Sequence, residues 1–342
     1  MFKSLHTLLV ALLFLSRTSF GQEVSISDPG LNAAVREALQ KPTGPLTEQD
    51  MLRLTFLSAC CRDIKSIAGL EAARNLAILD LHANLLTNCV VPGTLTNLQI
   101  VDLFQNQLTS VVLPAALSKL TIVNLGFNSL GQCSLPNGLT NLDTLFLQNN
   151  QLTSFTVPAD ATNLTTLLLS FNQLTNVSLT ADMRRLTTVD LSSNRLKDLN
   201  LPAGLTALPF LNARSNQLAN LTLPPDMQQV VGILVDGNPL TTFVLSEQLA
   251  ATNLALTVAT LRNEGVSVFA YPLAVSLVSP HSISATAFQF TLTGPPGGYT
   301  IAGSPDLISW ADLGKATNVL GMVVFTDVQT NPSPRKYYRA RL

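Results

Sequence analysis

Cys60 and His82 stand 22 residues apart in a chain whose apolar pattern returns at that same interval. A fold that stacks the repeats would set thiol and imidazole side by side, with Asp80 and Asp102 on the same exposed face nearby. Thiol, imidazole and carboxylate are the parts of a cysteine nucleophile, its base and the group that orients the base. No nucleophile elbow, phosphate-binding glycine loop or metal-ligand spacing accompanies them. The favoured reading is of polar residues on a solvated sheet face. A thiol hydrolase using Cys60 and His82 is the least favoured of three functional readings, and no catalytic, cofactor-binding or metal-ligating residue is assigned. The chain is expected not to be an enzyme and to need no cofactor.

The elements that would position such residues follow from composition and period. With 342 residues, 46% hydrophobic and 12% charged, the chain has material for about two globular domains. A net charge of −1 without long charged runs speaks against nucleic acid or an anionic membrane as partner. Lys3 precedes the apolar run Leu8 to Leu15, and Ser19, Phe20 and Gly21 place small residues at −3 and −1. Residues 1–21 therefore read as a secretory signal, with the mature chain starting near Gln22. The run is well short of the roughly 20 apolar residues of a spanning helix, and no second such run follows. Secreted, periplasmic or cell-surface localisation is expected, with no transmembrane segment after signal removal.

From Leu54 the pattern L-x-x-L-x-L-x-x-N-x-L recurs every 22 residues, at Leu54, Leu76, Leu98, Leu120, Leu142, Leu164, Leu186, Leu208 and Val230. Asparagine holds the N position at Asn84, Asn106, Asn128, Asn150, Asn172, Asn194, Asn216 and Asn238, and the first coil departs with Arg62. A carboxamide both donates and accepts, so stacked coils are expected to share an asparagine ladder that satisfies loop backbone. Alternation at Leu145 and Leu147, or Leu167 and Leu169, is strand periodicity with those leucines inward. A later pair, such as Val111 and Leu113 or Phe155 and Val157, is again two apart and precedes Pro114 and Pro158, which predicts extended segments there and no helix. Residues 54–251, nine coils of 22, resemble leucine-rich repeats. The resemblance implies a solenoid with a parallel sheet on its concave side and a mostly extended convex side.

A solenoid exposes its core at both ends unless covered. Asp28 before Pro29, with Leu31, Val35 and Leu39 on one face, and a capping box from Thr47 to Asp50 predict a helical N-cap over residues 22–53. The string DPGLNAAVREALQKPTGPLT is similar to the helical caps of secreted bacterial leucine-rich-repeat proteins of the internalin-like kind. Leu254, Val258 and Leu261, closed by Gly265 and followed by Val266 to Tyr271, predict a helix and final strand as C-cap over 252–271. Beyond Pro272 the period ends. Phe288, Phe290, Leu292, Tyr299, Ile301, Val323 and Phe325 alternate between turns, which predicts a β-sandwich-like module over 272–342. GYTIAGSPDLISWADLG with KYYRARL resembles a C-terminal β-module of secreted bacterial proteins, with adhesion, glycan contact and export sorting all open.

Cys89 and Cys133 share one inward position two coils apart, with Val111 between. At about 4.8 Å per strand that is about 10 Å, beyond disulfide reach, so both read as small core residues. No bond is assigned to the vicinal Cys60 and Cys61. Asn163, Asn176 and Asn220 fit glycosylation sequons that the repeat grammar generates anyway.

The leading functional reading is a protein-binding scaffold using the concave face. The exposed strand positions that break the polar rule are Phe104, Phe127, Phe146, Leu168 and Phe171, with Thr144 and Thr166 beside them. For Phe127 and Phe171 the alternative is packing over the asparagine loop, because their position lies at the strand's end. The second functional reading is a glycan-binding or adhesive surface protein led by the C-terminal module.

Overall fold

The computed structural model describes residues 22–181, 183–328 and 335–342. The signal-peptide reading of residues 1–21 falls outside them. Two compact units divide the chain, one with residues up to Leu130 and Leu135–Leu142, the other with Gly131–Ser134 and everything from Asp143.

In the first unit, Asp28 caps the helix Pro29–Ala38 by accepting from the Leu31 N–H at 3.0 Å. Its other carboxylate oxygen accepts from the backbone N–H groups of Lys65 at 2.7 Å and Ser66 at 3.2 Å. One side chain thus starts the helix and ties it to the first coil. Leu31, Val35 and Leu39 are buried. Thr47 and Asp50 close a reciprocal capping box at the short helix Glu48–Met51.

Strands Phe56–Ser58, Ile78–Asp80, Ile100–Asp102 and Ile122–Asn124 then stack in parallel. Each residue pairs with the one 22 positions later, as Phe56 with Ile78 and Ile78 with Ile100. The middle residues Leu57, Leu79, Val101 and Val123 are fully buried. Equal coil lengths are what keep this register, since a slip of one residue would turn every leucine to solvent.

The second unit continues the same architecture with Thr144–Phe146, Thr166–Leu168, Thr188–Asp190, Phe210–Asn212 and Gly232–Leu234, again parallel. Behind them, Ser154–Thr156 pairs with Asn176–Ser178, and Asn220–Thr222 with Thr242–Ser246, in the same sense. The opposite side of these coils is therefore extended. Pro158 and Pro224 favour this after two of the four segments, because each lacks a donor and disfavours helix just before it, while Asn176–Ser178 and Thr242–Ser246 are extended without a following proline. Within each unit the coils stack in parallel as in a solenoid, with little helix.

The ninth coil ends in the helix Glu247–Ala251, followed by the helix Ala255–Asn263, with Leu254, Val258 and Leu261 buried. The strand Ser267–Tyr271 pairs in parallel with Thr242–Ser246, and the buried Tyr271 hydroxyl donates to the Leu223 carbonyl at 2.7 Å. Two three-stranded antiparallel sheets follow. One contains Ser276–Ser284, Ala287–Thr293 and Met322–Val328, and the other Ala311–Asn318, Gly297–Ser304 and Tyr337–Arg341. Phe290, Leu292, Tyr299, Ile301 and Ala316, from both sheets, form one buried cluster. Among the described residues, no helix is long and apolar enough to cross a membrane.

Candidate functional site

The strand face is set by the asparagine loop at its end. Asn194 shows the pattern: its amide donates to the carbonyls of Leu169 at 2.9 Å, Leu191 at 3.0 Å and Ser192 at 3.2 Å. Its carbonyl oxygen accepts from the Leu174 N–H at 3.0 Å. Asn84, Asn106, Asn128, Asn172, Asn216 and Asn238 likewise bind backbone of both their own coil and the preceding one. Asn150 donates to the Leu147 and Gln148 carbonyls. Arg62 at this position instead sends its guanidinium 2.7 Å from Glu37 of the first helix, while its N–H donates to Asn84.

The residue before each ladder position turns the chain through the left-handed region. Cys61, Ala83, Gln105, Phe127, Asn149, Phe171, Ser193 and Ser215 all have φ between 53° and 59°, and Gly237 has 72°. A bulky side chain is costly there. Phe127 and Phe171 are nevertheless 48% and 57% exposed, so they are not packed over the loop as core.

The apolar side chains form clusters within each unit. In the first, Phe104 and Phe127 meet with ring centroids 5.0 Å apart at 59°. In the second, Phe146 lies opposite Leu168 and Thr144 opposite Thr166 on adjacent strands, all half-buried beside the inward Leu145 and Leu167. A further row had not been singled out from sequence: Phe56, Ile78, Ile100 and Ile122 are consecutive cross-strand neighbours on the outward face. Its signal was present two residues after each first leucine. Phe210 holds the same position, is 56% exposed, and lies over Gly232, where an added Cβ would come 2.7 Å from its ring.

Beside this row, Asp80 and Asp102 occupy paired positions. His82 Nδ1 is 2.6 Å from Asp80 Oδ1, and Ser58 Oγ donates to Asp80 Oδ2 at 2.8 Å. Burial works to raise the Asp80 carboxyl, but the hydrogen bonds from His82 and Ser58 outweigh it and hold it below its ordinary value. Cys60, Cys61 and His82 converge, although no sequence spacing had marked a ligand set. The donors come from two coils, so only stacking brings them together. A hydrogen bond with the Cys61 thiol, then burial and nearby charge, push the Cys60 thiol above its ordinary value. An activated nucleophile needs the opposite shift. All four cysteines are free, and burial alone pushes Cys89 and Cys133 up to about 12.

Repeat register, ladder and parallel stack are together similar to those of leucine-rich-repeat proteins. A family model described as leucine-rich repeats in two copies matches residues 162–203. No curated protein matches the chain. Solved structures with similarity include internalin C2 from Listeria monocytogenes str. 4b F2365, at 21% identity and TM-score 0.41, covering 65% of this chain and 88% of that one. The functional domain of InlJ from Listeria monocytogenes, described as including a cysteine ladder, gives 14% identity and TM-score 0.35, with 80% and 96% covered. The LRIM1/APL1C complex gives 18% identity and TM-score 0.47, with 69% and 54% covered.

Proposed function

We propose that the chain is a secreted or surface-exposed scaffold that binds a protein partner through its outward strand face. The observation that carries this reading is the backbone at Phe127 and Phe171. Holding a non-glycine residue in the left-handed region costs about 1–3 kcal/mol, and a bulky side chain makes it worse. Other coils use Ala83, Asn149, Ser193, Ser215 or Gly237 at the same place. The two phenylalanines recover little of that cost by burial, since about half of each stays in water. Strain held at an exposed aromatic is a mark of a functional surface. The half-buried Phe146 and Leu168 extend the apolar surface on the same face as Thr144 and Thr166. Aromatic anchors flanked by small polar side chains suit a protein interface.

Phe171→Asn and Phe146→Ser test it. Asparagine tolerates the left-handed backbone, as Asn149 does at φ 55°, so Phe171→Asn should keep stability or raise it by about 1 kcal/mol. Both variants should lose recovery of partners that the unaltered chain captures from native extract. Unchanged recovery, or a loss of several kcal/mol at Phe146 as for a cored aromatic, would defeat the reading.

A further inference from the structure

Cys60, Cys61 and His82 form a cluster that the binding face leaves without a role. Their sulfurs and a His82 ring nitrogen all lie within 4.8 Å of one another. A tetrahedral Zn2+, with bonds of about 2.3 Å to sulfur and about 2.0 Å to nitrogen, holds such donors roughly 3.5–4 Å apart. Small side-chain rotations therefore separate this arrangement from a coordination shell. In extended backbone, consecutive side chains point to opposite sides. The left-handed backbone at Cys61, φ 59°, breaks that alternation and lets adjacent sulfurs reach one point.

The imidazole already has the partner a metal-bound histidine needs. Its Nδ1 lies 2.6 Å from Asp80 Oδ1, which leaves the lone pair of the other ring nitrogen for an ion. Asp80 is fixed in turn, since Oδ1 accepts from the His82 backbone N–H at 3.1 Å and Oδ2 from Ser58 Oγ at 2.8 Å. Two thiols and one imidazole select a thiophilic cation over Ca2+ or Mg2+.

We propose that Cys60, Cys61 and His82 bind one Zn2+ ion, with Asp80 positioning His82 and a fourth coordination position open to water or to a donor from a partner. Binding replaces two S–H bonds by two Zn–S bonds and releases two protons to solvent, with no change of oxidation state.

The full chain, reduced and kept under argon, is titrated with Co2+ and then with Zn2+. One Co2+ per chain is expected, with a sulfur-to-metal charge-transfer band and intense tetrahedral d–d bands that Zn2+ abolishes. Cys60→Ser, Cys61→Ser and His82→Ala should each remove the charge-transfer band or change it to that of a site with one donor fewer. Asp80→Asn should keep the band and lower Zn2+ affinity about 10- to 100-fold. His281→Ala, in the C-terminal sheets, should change neither. Melting of the metal-free variants by circular dichroism verifies that they are folded. Failure of the unaltered reduced chain to bind either ion overturns the proposal, and so does a band unaffected by the two serine substitutions. The titration of the unaltered chain decides the question even where a variant does not fold.

Discussion

Phe155→Ala should destabilise the protein by about 3–5 kcal/mol, the range for emptying a buried aromatic site. Phe155 is 2% exposed at the centre of Ser154–Thr156, where it pairs with the buried Val177. The equivalent residues elsewhere are Cys89, Val111, Cys133, Val177, Leu199, Leu221 and Phe243. Most are smaller than phenylalanine, so the neighbouring Val177 cannot swell to fill the space left behind. Val157, two residues on, is also buried and pinned by the same extended backbone. The effect is read from the denaturant midpoint at constant slope. A loss below about 1 kcal/mol would mean that the extended side of the coils is not close-packed around this ring.

Asn194→Ala should cost about 1–3 kcal/mol for a different reason. No large cavity opens, but the Leu174 N–H loses its acceptor and the Leu169, Leu191 and Ser192 carbonyls lose a donor. These groups sit where water has little access, since Asn194 itself is buried. The exposed Gln151→Ala should stay within about 0.5 kcal/mol. Equal midpoints for the two variants would show that the ladder is ornamental.

The stacking of the coils was legible in the sequence because a constant 22-residue period leaves one register open. Once Phe56 stands beside Ile78, every later pair follows. The solenoid, its low helix content and the opposite orientation of Leu145 and Phe146 all come from periods of two and 22. The turn before the ladder was not legible. Ala83, Gln105, Phe127, Asn149 and Ser193 share no chemistry that signals positive φ, and only Asn149 and Gly237 are of types that favour it. The turn recurs at Cys61, although Arg62 and not asparagine follows it and donates its N–H to Asn84 of the next coil, so it goes with the stacking of coils, a tertiary effect that overrides local preference. Hence the directions of Phe127 and Phe171 could not be read in advance.

Convergence of Cys61 with Cys60 and His82 was hidden for the same reason, since an extended chain would have turned the two cysteines apart. The second role of Asp28 was equally out of reach. Its reach to Lys65 and Ser66 crosses from the helix to the first coil, and no local pattern encodes it. The isoleucine row beginning at Phe56 was available in the repeat, but it emerges only when the same coil position is followed from the first coil onward.

The outward strand face as the partner-binding surface is tested most directly by photo-crosslinking. A benzophenone amino acid is placed at position 146, on the outward face, or at position 156, exposed on the opposite extended side, and each protein is irradiated in native extract. A discrete cross-linked protein from position 146 and none from position 156 is the expected result. Cross-links from position 156 alone would contradict the assignment.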